Sequence, residues 1–393
     1  MATHLAAVSP ARGQPFELQT RPTPNPGPGE LLIAVKSVAL NPADSHMRNQ
    51  GLFIPTYPTV IGFDISGLVL EVGDKVPTGN ADDDDAPGVF FQPGITRVAA
   101  FAASFWRSCD PDYGAFQERC LVPWQHAVPL PDKAISWNHA ATLPVAVEVA
   151  LNAWDALGVL QVKGVSASSS PSASLPSATM SASGAPLKMI NKHEALLIWG
   201  ASSSVGTMGV QSAGLIREDR NSPFAAVYAT AGPANKDYVS SLGADRVFDY
   251  KDPRVVDAIV SAAREDGLVI RHCFLATGQL RPCQAVLGAF FGDDGGLEKQ
   301  KAKIGSAPVV PADADVVDGV EIIFLQPSTE EGDRLEQFRY WMGTWLWENL
   351  AKGAIRPSPE PSVVGKGLGA INAGLDIILQ GVSCRKLVVE VGE

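Results

Sequence analysis

The strongest constraint on the fold of this chain is an apolar run that leads directly into a turn of small residues. ALLIWG (Ala195 to Gly200) is followed by Ala-Ser-Ser-Ser-Val-Gly and then by a helical pattern. A continuous apolar run of this length is typical of a buried parallel strand. Because the first N–H groups of the following helix and its dipole point at one spot, the turn predicts a pyrophosphate site. Its predicted residues are Gly200, Ser203, Ser204, Val205 and Gly206.

The glycine spacing of this turn is incomplete. Ser202 stands where the strict G-x-G-x-x-G pattern has its second glycine. A turn that only lets the helix pack tightly on the strand is therefore the alternative. Its place between a buried strand and a helix favours dinucleotide binding.

Strands and helices alternate after this turn. The strand-like runs are FAAVYAT, DRVFDY, RHCFLAT and GVEIIFLQ, and helical patterns follow Val205, cover Lys236 to Leu242 and cover Val255 to Arg264. This alternation predicts an α/β fold with a doubly wound parallel sheet. A further helix, RLEQFRYWMGTWLWENLAKG, spaces its aromatic residues three and four apart, which is typical of a core-facing stripe and also fits a ligand-stacking face.

The first part of the chain is different. Short β-type runs, LLIAVKSVAL, ISGLVLEVG, TRVAAFA and FQERCLVP, are separated by Pro and Gly, which predicts a compact β-rich domain. The segment Gly164 to Pro186 is rich in Ser, Ala and Pro, and we expect it to be a flexible insertion. The run Asp82 to Asp85 is expected to be a solvated loop rather than a cation site.

Composition narrows the function. The chain has 393 residues, which predicts two domains, and Lys plus Arg (31) against Asp plus Glu (42) gives a formal charge of −11. Such a surface repels phosphate backbones, so no nucleic acid partner is expected. No apolar run is long enough to span a bilayer and the first residues do not resemble a signal peptide, so we expect a cytoplasmic protein with no membrane partner. The five scattered cysteines predict neither a disulfide framework nor a thiolate zinc site.

The next strand bears on the choice of nicotinamide cofactor. In a dinucleotide-binding unit an acidic residue about 20 positions after the turn binds the ribose 2′-OH. Here FAAVYAT ends at Thr230 without an acid, Lys236 lies just beyond, and Tyr250 closes the run DRVFDY. Since an ammonium suits a 2′-phosphate, these three residues predict NADPH rather than NADH. The alternatives are a solvent-exposed helix lysine and a half-buried strand aromatic.

Seven segments together resemble the medium-chain dehydrogenase/reductase superfamily, in the branch of zinc-free quinone oxidoreductases and fungal trans-acting enoyl reductases. They are VALNPADSHMRNQG, VIGFDISGLVLEVGDKV, YGAFQERCLVP, AATLPVAVEVALNAW, LLIWGASSSVG, SLGADRVFDYKDP and GVSCRKLVVEV. The resemblance implies a GroES-like β-rich catalytic domain over residues 1–145 and 341–393, and a Rossmann NADPH-binding domain over residues 146–340.

The resemblance also bears on metal binding. Zinc-dependent members of the superfamily use a cysteine near the position of Asp44 and a histidine that Phe63 replaces here. A phenyl ring cannot ligate a metal, and a site made of Asp44, His46 and Asp64 suits zinc poorly, so we expect no metal. Hydride addition to a conjugated acceptor leaves a delocalised anion that hydrogen bonds can stabilise.

The remaining candidate residues come from the resemblance. Asn41 matches an asparagine beside the nicotinamide, with an Asn-Pro turn as the alternative. Related enoyl reductases carry a tyrosine where Phe53 stands, so Tyr57 is the candidate proton donor, with a packed loop residue or protonation by water as alternatives. The resemblance places Glu148 near the nicotinamide cleft, where it would position substrate if it faces the cleft; a solvent-facing carboxylate without a role is the alternative.

Two residues remain. Thr277 is expected to line the cofactor or to cap its strand, and Lys386 to reach the cofactor phosphates or to be exposed on an edge strand.

The expected function is therefore NADPH-dependent reduction of an activated C=C bond or a quinone, with a polyketide-type enoyl compound or a quinone as substrate. A non-catalytic NADPH- or quinone-binding protein is the alternative. A third reading is a protein that docks on a synthase through an exposed Trp-rich helix. By analogy with relatives, GVEIIFLQ is a candidate edge for a homodimer.

Overall fold

The computed structural model describes residues 2–79, 89–131, 134–160, 192–292 and 301–392. The predicted insertion at 164–186 and the run Asp82 to Asp85 lie outside these residues. Six parallel strands form one sheet in the order β10-β9-β8-β11-β12-β13. Counted from its first strand, this is the order 3-2-1-4-5-6 of a doubly wound Rossmann sheet, as the alternation predicted. Its strands are β8 (Glu194–Trp199), β9 (Phe224–Thr230), β10 (Arg246–Phe248), β11 (Val269–Leu275), β12 (Ala302–Ser306) and β13 (Val320–Phe324).

A second, seven-stranded sheet contains the β-rich part of the chain and its C-terminal strands. The order is β14-β15-β3-β4-β5-β7, and β6 also pairs with β3. Only β14 and β15 are parallel to each other. Its strands are β3 (Glu30–Ala39), β4 (Asp64–Val72), β5 (Arg97–Phe101), β6 (Arg119–Pro123), β7 (Ala127–Pro129), β14 (Pro361–Lys366) and β15 (Lys386–Glu390), while β1 (Thr3–Val8) and β2 (Glu17–Pro22) form a separate hairpin.

Helices flank both sheets. They are α1 (Pro42–Gln50), α2 (Trp137–Ala141), α3 (Pro144–Ala156), α4 (Ser204–Glu218), α5 (Lys236–Ser241), α6 (Val255–Glu265), α7 (Leu280–Gly288), α8 (Glu331–Phe338), α9 (Trp347–Ala351) and α10 (Ile371–Gln380). Among the described residues, no helix combines the length and the apolar composition that crossing a bilayer requires.

The aromatic helix is continuous but irregular. A π-helical segment, Arg339–Leu346, joins α8 to α9. Phe338 and Trp341 are fully buried, whereas Trp345 and Trp347 are partly buried. The core interpretation therefore holds for Phe338 and Trp341, which offer no exposed patch for docking on a synthase.

The core that matters for the site joins the two sheets. Buried side chains of α3, α4 and the π-helical segment pack together with Phe101 of β5 and Val128 of β7. The predicted domain boundary at 340/341 falls inside the π-helical segment, and it stays a prediction. β13 is an edge strand of the parallel sheet, as the dimer hypothesis requires, but the homodimer itself also stays a prediction.

Candidate functional site

The predicted phosphate turn connects β8 to α4. Gly200 has φ +78°, a left-handed conformation that favours glycine. Ser203 is the N-cap of α4, and its Oγ accepts a hydrogen bond from the N–H of Gly206 at 3.1 Å. Ser204 and Val205 occupy the first two helical positions, whose N–H groups have no intrahelical acceptor. The turn therefore presents two N–H donors and the positive end of the helix dipole to an anion.

Close packing explains the second glycine of this turn. A Cβ on Gly206 would lie 2.4 Å from the carbonyl oxygen of Gly200 and 2.8 Å from Cα of Ala201. Real Cβ atoms do not come so close, so any larger residue would push α4 away from β8. The tight-packing role that was the alternative to dinucleotide binding is present here, and both roles can operate at one turn.

Two threonines support the turn in different ways. Thr230 is fully buried, and its Oγ1 accepts a hydrogen bond from the N–H of Gly200 at 2.9 Å. Thr277 is exposed at the end of β11, where its backbone and methyl group lie against Gly200. Thr230 thus stabilises the backbone of the turn at Gly200 from the protein interior, and the exposed Thr277 contacts Gly200 on the solvent side. Contact of either residue with a cofactor stays a prediction.

The two residues predicted to select NADPH lie near the carboxyl end of β9. Lys236 is the first residue of α5 and is partly exposed. Tyr250 lies two residues beyond β10, is 45% exposed, and has its ring beside Gly232. Tyr250 therefore lies outside the strand, contrary to that alternative, although its side chain is about half-buried as the alternative expected. Both side chains are accessible to solvent near the carboxyl end of β9.

A buried polar cluster lies in the seven-stranded sheet, where the ends of β3, β4 and β15 adjoin. The Lys386 ammonium is 2.9 Å from Asp64 Oδ2 and donates to Asn41 Oδ1 at 2.5 Å. Asn41 Nδ2 donates to the same Asp64 Oδ2 at 3.0 Å. Asp64 Oδ1 accepts from the N–H of Val145, in the first turn of α3, at 2.7 Å. The carboxylate is thus held by an ammonium, an amide and a helix N-terminus.

The contacts of Lys386 rule out one of its two expected positions and do not favour the other. β15 lies between β14 and β3, and Lys386 is only 3% exposed, so the exposed edge-strand interpretation is wrong. Its ammonium is directed at Asp64 and Asn41, and neither partner belongs to the phosphate turn. Contact with the cofactor phosphates therefore stays a prediction that these partners do not favour.

Asn41 is also more than a turn residue. It is the N-cap of α1 with φ −122° and ψ 152°, so an Asn-Pro helix start is present. Its backbone N–H donates to Asp44 Oδ2 at 2.7 Å, and its side chain contacts Asp64 and Lys386. The side chain is thus placed in the polar cluster.

Asp44 adjoins this cluster but builds no metal site. It is fully buried, burial raises its pKa to about 7, and its Oδ1 has no hydrogen-bond partner among the described residues. His46 is exposed on the other side of α1. In the described part of the chain, no three His, Cys, Asp or Glu side chains are grouped to hold a metal ion. Metal independence itself stays a prediction.

Glu148 lies one turn beyond Val145 on α3 and is 5% exposed. Burial raises its pKa to about 8; the nearby Asp64 adds to that rise and a hydrogen bond from Asn152 opposes it. Asn152 Nδ2 donates to Glu148 Oε1 at 3.4 Å. At neutral pH this side chain is a neutral carboxylic acid beside the polar cluster.

The structure does not bring Tyr57 together with these residues. A Cβ on Gly51 would lie 2.9 Å from the Tyr57 hydroxyl, and Gly51 ends α1 whereas Asn41 begins it. A helix of nine residues puts its two ends about 13 Å apart. The hydroxyl is buried without a hydrogen-bond partner among the described residues. The packed-loop alternative describes this position better than proton donation does.

Sequence reasoning missed the pairing of Asp64 with Lys386. The sequence suggested Asp64 only as a metal ligand, and Lys386 only as a phosphate contact or an exposed edge-strand residue. The available signal was a charged residue at the first position of each of two mostly apolar strands, DISGLVLEV and KLVVE. Buried charges of opposite sign are normally paired.

The phosphate turn and the polar cluster are joined by a short segment. Ser358 Oγ donates to Thr207 Oγ1 at 2.9 Å and accepts from Gln211 Nε2 at 2.9 Å, and both partners lie on α4. Two residues later the Glu360 carbonyl accepts from the N–H of Lys386 at 3.2 Å. The two halves of the candidate site therefore belong to one connected structure.

Comparison with known proteins gives consistent results. The alcohol dehydrogenase GroES-like domain family matches residues 27–132. Trans-enoyl reductase tndF of Aspergillus flavipes is 39% identical over 389 residues, which cover 98% of this chain and 98% of that protein. Trans-enoyl reductase tazE of Aspergillus terreus is 39% identical over 84% of this chain and 94% of that protein. Dehydrogenase orsE of Emericella nidulans is 33% identical over 99% of this chain and 100% of that protein.

Solved structures agree in fold. An alcohol dehydrogenase superfamily protein from Novosphingobium aromaticivorans superposes with a TM-score of 0.70 at 18% identity, covering 99% of this chain and 100% of that one. The CurK enoyl reductase gives a TM-score of 0.67 at 16% identity, covering 99% of both chains.

Proposed function

Because the chain belongs to the medium-chain dehydrogenase/reductase superfamily, in the branch of the fungal trans-enoyl reductases, we propose that it is an NADPH-dependent reductase of an activated C=C bond or a quinone. The relatives that carry the name trans-enoyl reductase favour an enoyl or enone substrate over a quinone. A polyketide-type compound of fungal secondary metabolism is the proposed substrate class.

The observation that most supports this proposal is the buried Asn41, Asp64 and Lys386 cluster. An ammonium already neutralises Asp64, at the end of the sheet where the resemblance places the metal of zinc-dependent members. A divalent cation beside that ammonium would be repelled, and Phe63 offers no ligand. We therefore propose a reaction in which hydrogen bonds, rather than a metal, stabilise the developing negative charge.

The turn at Gly200 fits the cofactor. Its small residues let a pyrophosphate approach, and the N–H groups of Ser204 and Val205 would bind it. Lys236 and Tyr250 would contact the 2′-phosphate, since both are accessible and β9 ends without an acid. When bound, NADPH supplies the hydride.

The residues of the polar cluster would act on the acceptor. Asn41 would donate a hydrogen bond to the acceptor oxygen, on which negative charge develops when hydride reaches the β-carbon. Glu148, neutral at pH 7, would supply the proton to the α-carbon directly or through a water molecule. Tyr57 is not assigned this role because its hydroxyl lies at the far end of α1.

The test is NADPH oxidation followed at its absorbance band. The purified protein, freed of metal with a chelator, is supplied with NADPH or NADH and with an α,β-unsaturated ketone, an enoyl thioester or a quinone. We expect turnover with NADPH and an unsaturated carbonyl acceptor. NADPH binding without oxidation by any acceptor would instead support the non-catalytic binding function, and activity that requires added zinc would overturn the metal-free reaction.

A further inference from the structure

The side-chain amide of Asn41 is held from both sides by a buried ion pair. Its Oδ1 accepts from the Lys386 ammonium at 2.5 Å, and its Nδ2 donates to Asp64 Oδ2 at 3.0 Å. The three side chains are 4%, 3% and 0% exposed for Asn41, Lys386 and Asp64. Because the Lys386 ammonium is also 2.9 Å from Asp64 Oδ2, the three side chains form a closed ring of direct contacts.

The chemistry of the partners fixes which way the amide points. An ammonium only donates hydrogen bonds and an ionised carboxylate only accepts them. The amide oxygen must therefore face Lys386 and the amide nitrogen must face Asp64. Rotating the amide by 180° would set the oxygen against a carboxylate and the NH2 group against an ammonium, at the cost of both hydrogen bonds.

One N–H of the amide is not held by the ion pair. Nδ2 carries two N–H groups, of which one donates to Asp64. The side chain of Asn41 also interacts with the buried Asp44 carboxyl, and an acceptor oxygen would take over the second N–H from that carboxyl. Lys386 also polarises the amide by binding its oxygen, and a polarised amide is a stronger donor at its nitrogen.

We propose that Lys386 and Asp64 are positioning residues that lock Asn41 as a hydrogen-bond donor to the oxygen of the acceptor. The proposal rests on the proposed function and narrows it to acceptors whose carbonyl oxygen becomes anionic when hydride is added. The locked donor is most valuable where the negative charge is concentrated on one oxygen, as in the enolate of a thioester or ketone. It matters less for a quinone, whose product anion spreads its charge over an aromatic ring.

The test removes both charges together, because Lys386→Met alone would leave Asp64 buried and unpaired. The variant is Lys386→Met/Asp64→Asn. The isosteric single change Asp64→Asn is the second variant, in case the first does not fold; its amide oxygen can still accept from Lys386, which also keeps its hydrogen bond to Asn41. The matched control is Lys366→Met/Glu390→Gln, which removes an ion pair between β14 and β15, the strand that also carries Lys386. Lys366 is largely exposed and Glu390 partly buried, and the glutamine oxygen can still accept from Asn138. Thermal unfolding shows which variants are folded.

Steady-state rates are measured with an enone, an enoyl thioester and a quinone, alongside the Kd of NADPH. We expect kcat of the double variant to fall about 10- to 100-fold for the two carbonyl acceptors and less than about threefold for the quinone. The Kd of NADPH should change less than about threefold, and the control should behave as wild type. Asp64→Asn should show the same selectivity with a smaller loss.

A binding measurement provides a readout that does not need turnover. Ionised 1,3-diketones serve as enolate probes, and their binding to the NADP⁺ complex is followed by tryptophan fluorescence. Wild-type affinity should rise with the basicity of the enolate, and this dependence should weaken in the double variant. Equal losses on all three acceptors, or an unchanged dependence on enolate basicity, would overturn the positioning role. Absence of wild-type turnover with every acceptor would instead refute the proposed function.

Discussion

The buried carboxyl of Glu148 makes the stability of the folded protein depend on pH, and a single substitution can test this dependence. Burial raises its pKa from 4.5 to about 8, so the folded protein keeps this group protonated at neutral pH. Glu148→Gln has nearly the same shape and cannot ionise. The variant therefore mimics the neutral form at every pH, and its oxygen can still accept from Asn152.

The direction of this pH dependence follows from the number of protons that the folded and unfolded states bind. Since the folded pKa exceeds the unfolded one, the stability that this group contributes is fully present below pH 4.5 and is lost as the pH rises towards 8. Between pH 4.5 and pH 8 the unfolded chain binds fewer protons than the folded protein. Each unit rise in pH therefore lowers the free energy of unfolding by up to about 1.4 kcal/mol. From pH 6 to pH 8 wild type should lose about 2 kcal/mol through Glu148. The Gln variant should not lose this part, while Asp44 affects both proteins alike.

The assay is urea unfolding of both proteins at pH 6, 7 and 8, with Glu71→Gln, an exposed site, as control. The free energy of unfolding of Glu148→Gln relative to wild type should increase by about 2 kcal/mol between pH 6 and 8. A relative stability that stays constant over this range would refute the raised pKa. In turnover, wild-type kcat should fall above pH 8, whereas the variant should be about 100-fold slower and show no such fall.

Three further outcomes are expected. Gly206→Ala should raise the Kd of NADPH more than about tenfold because its Cβ would collide with Gly200, whereas Gly214→Ala on the same helix meets nothing within 4 Å and should bind normally and gain about 0.5–1 kcal/mol of stability. Lys236→Ala should weaken NADPH about tenfold and leave NADH unchanged in fluorescence titrations, because only NADPH carries the 2′-phosphate. Tyr57→Phe should keep kcat within about twofold and raise stability by about 1 kcal/mol, since the buried hydroxyl has no described partner; a 100-fold loss of kcat would restore Tyr57 as proton donor.

Much of the parallel sheet could be predicted from the sequence because its central strands are buried on both faces. EALLIW and FAAVYAT form apolar runs that leave little room for another interpretation. The strand AKIGS (β12) was missed, since its five residues include Lys303, Gly305 and Ser306. Pairing with β11 and β13 on both sides, rather than local propensity, makes this segment a strand.

The two halves of the candidate site differed in how visible they were in the sequence. The phosphate turn is local, so strand, small residues and helix stand in one readable stretch. The polar cluster is assembled by sheet register: Val388 pairs with Ala39, and Ala39 with Asp64. Asn41 and Lys386 are 345 positions apart, so no local pattern connects them. Only the three-dimensional pairing of β15, β3 and β4 reveals the contact.

The connection through Ser358 explains why these two halves can work as one site. The hydroxyl of Ser358 is bonded to Thr207 and Gln211 in the helix that would bind the pyrophosphate, and Glu360 is bonded to the strand residue Lys386. A cofactor bound at α4 would therefore have a position fixed relative to the same short segment that contacts Lys386 of the ion pair. Because a misplacement of the reacting atoms by about 1 Å can cost about 100-fold in rate, the proposed reduction needs a fixed geometry. The link acts together with the buried core that α3, α4 and the π-helical segment share with β5 and β7, so a phosphate site and an oxyanion donor on two separate sheets would keep a fixed distance.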